Sequence, residues 1–182
     1  QDVITLDLKA NEQTVLKTYR RGEISKLAHN NILYFARADA DFLFSLAVAT
    51  GEEAVVADSE IDDKYFSFVL LGVFDNRIMF YAEKDASGYQ DLLAFDMATS
   101  KASKIELTYK WFSDTRAVTV VAEADTQFLV YVGDEAYDYM SPAPGGKAFK
   151  DTQYIRMYKL INKSDYWAGI PNYIEFEDKV LK

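Results

Sequence analysis

The feature of this sequence that most constrains its fold is a strand–turn–strand pattern that recurs along its 182 residues. Each copy has a short segment of alternating apolar and polar residues, then a tight polar turn, then a second strand. Four polar turns mark the copies: 9–12, 49–52, 98–101 and 161–164. The last strand residues before these turns lie 40, 49 and 63 residues apart: Leu8, Val48, Met97 and Leu160. Self-similarity at this spacing predicts a β-repeat architecture.

A second strand pair lies between these copies. Three aromatic-rich strands, 31–36, 77–82 and 127–132, each follow an apolar strand across a turn that contains Asn or Asp. The complete unit is therefore four consecutive antiparallel strands over roughly 45 residues, the period of a β-propeller blade. The pattern predicts an all-β fold, a propeller-like array of about four four-stranded antiparallel blades, with a β-sandwich as the alternative.

The segment 75–107 carries the clearest copy of the unit. It reads as a turn, an aromatic strand, an acidic loop, a strand ending in Asp-x-x-Thr from Asp96 to Thr99, a turn and a further strand. This pattern resembles the blades of extracytoplasmic bacterial β-propellers, including the Tol-associated and receptor-type families. The resemblance covers most of the chain and implies a blade fold and a location outside the cytoplasm, secreted or at the cell surface. It brings no catalytic motif with it.

We expect a single β-repeat domain over residues 1–182. Its first strand pair would complete a blade begun at the C-terminal end, closing a four-bladed ring and leaving no unpaired edge. The alternative is a piece of a larger propeller, whose exposed edges would pair with another chain. The chain opens at Gln1 without an initiator Met, which we interpret as a removed signal or anchor, or as a segment cut from a longer protein.

Composition excludes several classes of function. A total of 20 Lys and Arg against 29 Asp and Glu gives a net charge of −9, which argues against binding to nucleic acid or to an anionic membrane surface. No apolar run approaches the roughly 20 residues of a transmembrane segment. The absence of Cys excludes disulfides and thiolate chemistry. The one histidine, His29, lies in a predicted turn, where a solvated role is expected.

An acidic stretch over residues 38–63 is a candidate cation site. It holds eight carboxylates and no Lys or Arg. Four of the carboxylates lie on a predicted loop, three at alternating positions and the fourth directly after them: Asp58, Glu60, Asp62 and Asp63. Calcium takes six to eight oxygen ligands, which a carboxylate-rich loop can supply in part. The segment lacks the glycine and the terminal glutamate of an EF-hand loop. A solvated acidic loop is the alternative interpretation.

A long insertion in the third repeat is the candidate binding site. Residues 134–151 make this repeat about 14 residues longer than the one before it, and loops that outgrow their scaffold are often functional. In a propeller the insertion would lie on the same face as two inter-blade loops, 108–112 and 165–167. An aromatic platform with an acidic acceptor is then predicted from five residues: Trp111, Tyr137, Asp138, Tyr139 and Trp167. The alternative is that these aromatics pack the loops onto the blades.

These observations predict a non-enzymatic extracytoplasmic recognition module. Its loop aromatics and acids would contact a glycan, a peptide or a protein partner, without a cofactor other than the candidate calcium ion. One alternative is a structural subunit that self-assembles through its strand edges into a homo-oligomer. Another is a fragment of a propeller hydrolase. The chain contains neither a G-x-S-x-G motif nor a Gly-rich phosphate loop, so an enzyme has no support from the sequence.

Overall fold

The fold is all-β and is built from antiparallel sheets, as the sequence predicts. The structure, a computed structural model, describes residues 2–7, 10–18, 24–37, 40–56, 65–83, 89–141, 145–146 and 148–175. The chain divides into two compact units, Gln1–Lys104 and Ile105–Lys182. Among the described residues, no helix has the length and the apolar character needed to cross a membrane.

The first unit contains one hairpin and two four-stranded sheets. The hairpin pairs β1 (Asp2–Asp7) with β2 (Glu12–Thr18). The first sheet has the order β3 (Ile24–His29), β4 (Ile32–Arg37), β5 (Ala40–Ala47) and β6 (Glu53–Val55). The second sheet has the order β7 (Phe66–Phe74), β8 (Arg77–Glu83), β9 (Gln90–Asp96) and β10 (Lys101–Lys104). In both sheets every strand pairs with its neighbour in sequence, so each is the meander that the sequence predicts for one unit.

The core of the first unit lies between these two sheets. Nine buried side chains form one apolar cluster: Tyr34, Ala36, Leu43, Phe68, Ile78, Phe80, Ala82, Leu93 and Phe95. Ile78, Phe80 and Ala82 share one face of β8 because strand side chains alternate. Met79, on the opposite face of β8, is also fully buried, as is Phe35 on the opposite face of β4. Both faces of the central strands are therefore excluded from water.

Tight turns that demand a left-handed backbone join the strands of these meanders. Asn30 and Asn31 connect β3 to β4, and Asp75 and Asn76 connect β7 to β8, all four with φ between 48° and 60°. Positive φ at both central residues is what a two-residue type I′ hairpin turn requires, and Asn and Asp tolerate it best. The polar turns seen in the sequence therefore fix the hairpin registers. His29 sits at one of them, where Asn30 Nδ2 donates to its Nε2 at 2.9 Å.

The second unit contains a hairpin, a third four-stranded sheet and a short helix. The hairpin pairs β11 (Thr108–Trp111) with β12 (Asp114–Ala117). The sheet has the order β13 (Thr119–Glu123), β14 (Gln127–Ser141), β15 (Phe149–Asn162) and β16 (Tyr173–Ile174). The helix α1 (Lys163–Trp167) connects the last two strands. Its Tyr166 is buried against Phe128, with ring centroids 5.4 Å apart, and donates its hydroxyl to the Val118 carbonyl at 2.7 Å.

Three segments differ from the sequence-based expectation. The polar turn predicted at 161–164 is instead the end of β15 followed by α1, because Tyr166 inserts into the core. The predicted loop at 108–112 contains strand β11. The insertion at 134–151 is not an irregular loop: most of it belongs to β14 and β15, whose ladder continues to the pair Ser141 and Phe149. The four-stranded antiparallel sheet is confirmed, whereas the propeller arrangement stays a prediction.

Candidate functional site

The most exposed regular structure in the second unit is the outer part of the β14–β15 hairpin, residues 134–141 and 149–156, here called the arm. The inner part of the hairpin is flanked by β13 on one side and β16 on the other. No other described strand pairs with the arm, and every side chain from 149 to 156 is exposed. The insertion seen in the sequence is thus a two-stranded ribbon that extends beyond its own sheet.

A bulge at Gly133 marks the root of the arm. The register shifts between Tyr131 and Gly133, so that β14 gains one residue relative to β15. Gly133 has φ +122°, and a Cβ there would lie 2.9 Å from the ring of Tyr109 on β11. Only glycine satisfies both the backbone conformation and the close approach of the ring. The position at which the arm begins is therefore fixed by the Tyr109 ring, which packs directly on the backbone of Gly133.

Tyr131 and Asp134 fasten the two sides of the bulge. The Tyr131 hydroxyl donates to Asp134 Oδ1 at 2.9 Å, and its ring meets that of Tyr109 edge-on at 5.5 Å. Burial, followed by the hydrogen bond to the Asp134 carboxylate, raises the pKa of Tyr131 well above its usual range. The hydroxyl therefore stays protonated and keeps its donor role throughout the physiological pH range.

An aromatic cluster forms where the β11–β12 hairpin crosses the arm. Tyr154 lies on the same face of β15 as Tyr158, which packs on Tyr131. Its ring lies 6.4 Å from Trp111 and 5.6 Å from Phe112, and the last two rings lie 5.1 Å apart. The Arg116 guanidinium sits over the indole of Trp111, 5.2 Å from its centroid. We call the three rings Trp111, Phe112 and Tyr154 the aromatic cluster.

Phe112 is the unusual member of this cluster. It occupies the first position of the two-residue turn between β11 and β12, with φ +51°, and its side chain is 71% exposed. A left-handed conformation costs a residue with a bulky side chain roughly 1–2 kcal/mol. The comparable turn positions of the first unit hold Asn or Asp. The chain therefore accepts local strain at the residue that presents an aromatic ring to solvent.

The two faces of the arm carry different polar networks. On the face of the aromatic cluster, Asp138 accepts from Lys150 Nζ at 2.6 Å and from the Thr152 hydroxyl at 2.8 Å, and these contacts lower the pKa of Asp138. On the opposite face, the Tyr139 hydroxyl donates to Asp151 Oδ2 at 2.9 Å. That hydrogen bond raises the pKa of Tyr139.

The structure distributes the five residues predicted as one platform over three places. Trp111 belongs to the aromatic cluster. Tyr137 and Tyr139 lie on the opposite face of the arm from Tyr154, and Asp138 lies on the same face as the cluster. Trp167 lies at the base of the hairpin on helix α1, 5.5 Å from the ring of Phe128. Tyr137 lies nine residues beyond Phe128 along β14, which corresponds to roughly 30 Å at the rise per residue of a strand.

Three contributors to the cluster were not predicted from the sequence. Phe112, Tyr154 and Arg116 come together through the crossing of two hairpins, and Trp111 and Tyr154 are 43 residues apart in the chain. One local signal was available for Phe112. An aromatic residue stands there in a two-residue turn position that holds Asn or Asp in the described β3–β4 and β7–β8 turns.

The candidate calcium ligands Asp58, Glu60, Asp62 and Asp63 lie outside the described residues. Within the described part of the chain, no group of three or more His, Asp or Glu side chains is arranged to hold a metal ion.

Compared with known protein families, with curated proteins and with solved structures, the chain has no match in any of the three.

Proposed function

We propose that this protein is a non-enzymatic recognition module whose aromatic cluster anchors a protein partner. Phe112 is the central contact, with Tyr154 and Trp111 around it and Arg116 at the rim. A propeller-like array of four-stranded blades would hold this site rigidly, outside the cytoplasm. The observation that carries the proposal is Phe112: a strained, largely exposed aromatic ring at the tip of a tight hairpin.

The composition of the cluster favours a protein surface as the target. Trp, Tyr and Arg are the residues that most often dominate binding energy at protein interfaces, where a few rings fill pockets on the partner. Strained backbone positions concentrate at functional sites, since the surrounding structure must stabilise them for a reason other than folding. Phe112 combines a strained backbone with an exposed ring of a residue type that is enriched at protein interfaces, and Trp111, Tyr154 and Arg116 surround it.

The angles between the rings argue against a sugar platform. Sugars stack on an accessible flat ring face, whereas the planes of Trp111 and Phe112 are inclined by 87° and those of Phe112 and Tyr154 by 64°. One face of the Trp111 indole is already covered by Arg116. The three rings form a knob rather than a flat surface, and a knob suits insertion into a pocket.

The proposed blade array is supported by burial in the first unit. Met79 and Ile78 are adjacent on β8, point to opposite faces and are both fully buried. A sheet covered on both faces is what stacked blades require, whereas a sandwich leaves one face of each sheet in water. A rigid array of blades would preorganise the aromatic cluster, and preorganisation reduces the conformational entropy that is lost when the cluster binds.

The proposal is tested by selecting a phage-displayed peptide library on the wild-type protein and measuring the affinity of enriched peptides for variants. We expect Phe112→Ala to weaken binding at least tenfold, as for a central interface residue. Tyr154→Ala should weaken it by a smaller factor. Tyr89→Ala is the matched control, because Tyr89 is an equally exposed aromatic in the first unit.

Selected peptides that bind Phe112→Ala as tightly as wild type would overturn the proposal. A glycan array supplies the second arm. Binding to immobilised glycans that is lost in Phe112→Ala, with no peptide enriched, would assign the cluster to sugars instead.

A further inference from the structure

The outer edge of β15 is an unpaired strand edge along the arm. From Phe149 to Arg156 it pairs with β14 on one side, and no described strand lies on its other side. The edge contains a single acidic residue, Asp151, beside two cations, Lys150 and Arg156. Open edges of this length serve as templates for pairing with another strand.

The direction of the backbone groups on this edge follows from the ladder. The Lys163 N–H donates to the Thr126 carbonyl at 3.0 Å at the base of the hairpin. Backbone N–H groups alternate in direction along a strand. The N–H and C=O groups of odd-numbered β15 residues therefore point toward β14, and those of even-numbered residues point toward the open edge. The bulge lies in β14, so the alternation in β15 continues unbroken. Thr152 agrees with this assignment, since its N–H donates to the Asp151 side chain at 2.9 Å.

The residues along this edge are self-complementary. If two copies of β15 pair antiparallel with Thr152 opposite Thr152, then Phe149 lies opposite Ile155, Lys150 opposite Tyr154 and Asp151 opposite Gln153. These are an apolar pair, a cation beside an aromatic ring, and a carboxylate beside an amide donor. No like charges stand directly opposite. The outward amides of residues 150, 152 and 154 fall at hydrogen-bonded positions of such a ladder.

We propose that the arm pairs with the arm of a second copy of this chain, through antiparallel association of the two β15 edges about a two-fold axis at Thr152. The Thr152 N–H then exchanges the Asp151 side chain for the carbonyl of the other Thr152. The inference goes beyond the proposed function, because it concerns the edge of β15 and involves only Tyr154 of the aromatic cluster.

The strength of this association is limited by its area. Seven paired residues bury less than the roughly 1,200–2,000 Å² of a stable interface, so dimerisation is expected at high protein concentration only. A net charge of −9 on each copy opposes association, and added salt should therefore strengthen it.

Single cysteines provide a test of the register, because the chain contains none of its own. Phe149→Cys and Ile155→Cys change two residues that are 51% and 52% exposed. In the proposed dimer they lie at a non-hydrogen-bonded pair, with Cα atoms about 4.5 Å apart, within the range of a disulfide. We expect an equimolar mixture of the two variants to form a disulfide dimer at least fivefold faster than either variant alone.

Each variant alone is the matched control. Its cysteine lies six residues from its copy along the paired strands, about 20 Å away. Equal rates in the mixture and in the single variants would overturn the proposed register.

The second measurement is the molar mass of the protein by sedimentation against concentration. Wild type should rise from 20.7 kDa toward twice that value. Thr152→Pro should abolish the rise, because Pro removes an amide that faces the open edge and leaves the β14–β15 ladder intact. Met140→Pro, at an outward position on the opposite edge of the arm, should not. A wild-type chain that stays monomeric at millimolar concentration would overturn the proposal, as would an equal effect of both substitutions.

Discussion

The β7–β8 and β11–β12 hairpins both turn through two residues with a left-handed backbone at the first position, and they fill that position with different residues. In β7–β8, Asp75 and Asn76 occupy the left-handed positions, and Asp75 also accepts from Arg77 at 2.9 Å. In β11–β12, Phe112 occupies the first position, and its ring contacts only other surface rings among the contacts described. The first hairpin places Phe68 and Phe80 in the core, and the second places Phe112 at its tip.

The difference between the two turns distinguishes residues that stabilise the fold from a residue that exposes its side chain to solvent at a cost in stability. In β7–β8 the turn residues suit the backbone conformation that they adopt, and Phe68 and Phe80 are buried, as expected where local preference and packing agree. In β11–β12 the turn residue opposes the backbone conformation that it must adopt. A local conflict that brings no burial in return indicates a role outside folding.

The largest test of this comparison is the removal of one phenylalanine from each hairpin. Phe80 in β8 is 1% exposed and packs edge-on against Phe68 at 5.5 Å, so Phe80→Ala should lower the free energy of unfolding by about 3–5 kcal/mol. Phe112→Ala should change it by less than about 0.5 kcal/mol, because the ring is already in water. Urea denaturation of both variants measures the contrast. A loss above 2 kcal/mol for Phe112→Ala would make its ring structural.

An exchange of turn residues sharpens the comparison. Phe112→Asn should raise the free energy of unfolding by about 0.5–1 kcal/mol, because Asn adopts positive φ at lower cost. Asn76→Phe, which places a bulky side chain at the second left-handed position of the β7–β8 turn, should lower it by about 1–2 kcal/mol. Thermal unfolding followed by circular dichroism measures both. If both substitutions destabilise equally, the strain assigned to Phe112 is absent.

The smallest effect concerns the carboxylates that pair with one arginine of each hairpin, Arg77 in β8 and Arg116 in β12. Asp96 accepts from the N–H groups of Ala98 and Thr99 and pairs with Arg77 at 3.2 Å. Burial raises the pKa of Asp96, but these hydrogen bonds and the Arg77 charge outweigh it, and the net pKa is lowered. Its ionised form therefore stabilises the fold above the unfolded pKa of 3.8, and the contribution is lost as the pH falls through the lower folded value.

Asp96→Asn should accordingly cost about 1 kcal/mol at neutral pH, and progressively less as the pH falls from the unfolded pKa of 3.8 through the lower folded pKa of Asp96. In the other hairpin, Asp114 lies 4.0 Å from Arg116 on the surface. Asp114→Asn is the control, with an expected cost below about 0.5 kcal/mol. Denaturation at a series of pH values compares them, and a pH-independent cost for Asp96→Asn would contradict the assignment.

The fold class and the order of strands were predictable because they depend on local signals. Alternation in segments such as 77–82 and turn residues such as Asn30 and Asp75 specify hairpins within a few residues of sequence. Helix α1 was not predictable, since five residues are too few to show helical periodicity, and Tyr166 holds it through contacts with distant strands. The arm was interpreted as a loop, although Tyr137, Asp138 and Tyr139 alternate as the residues of a strand do.

The candidate site was predictable only in part. The sequence directs attention to Trp111 and to the insertion, but the face on which each side chain lies depends on the bulge at Gly133. One extra residue there decides which arm residues share the face of Tyr131. Trp167 was grouped with the arm because the predicted propeller placed both on one face, whereas it packs on Phe128.

The contact between Gly133 and the ring of Tyr109 lies at the bulge where the arm begins, so the direction of the arm depends on the geometry at one residue. From Gly133 to Ser141 the ribbon extends roughly 26 Å at the rise of a strand. A rotation of about 10° at Gly133 would therefore move the tip of the arm by about 4–5 Å, which exceeds the donor–acceptor distance of a hydrogen bond. A small change in how the Tyr109 ring packs on Gly133 would therefore be amplified along the ribbon into a larger displacement of its tip.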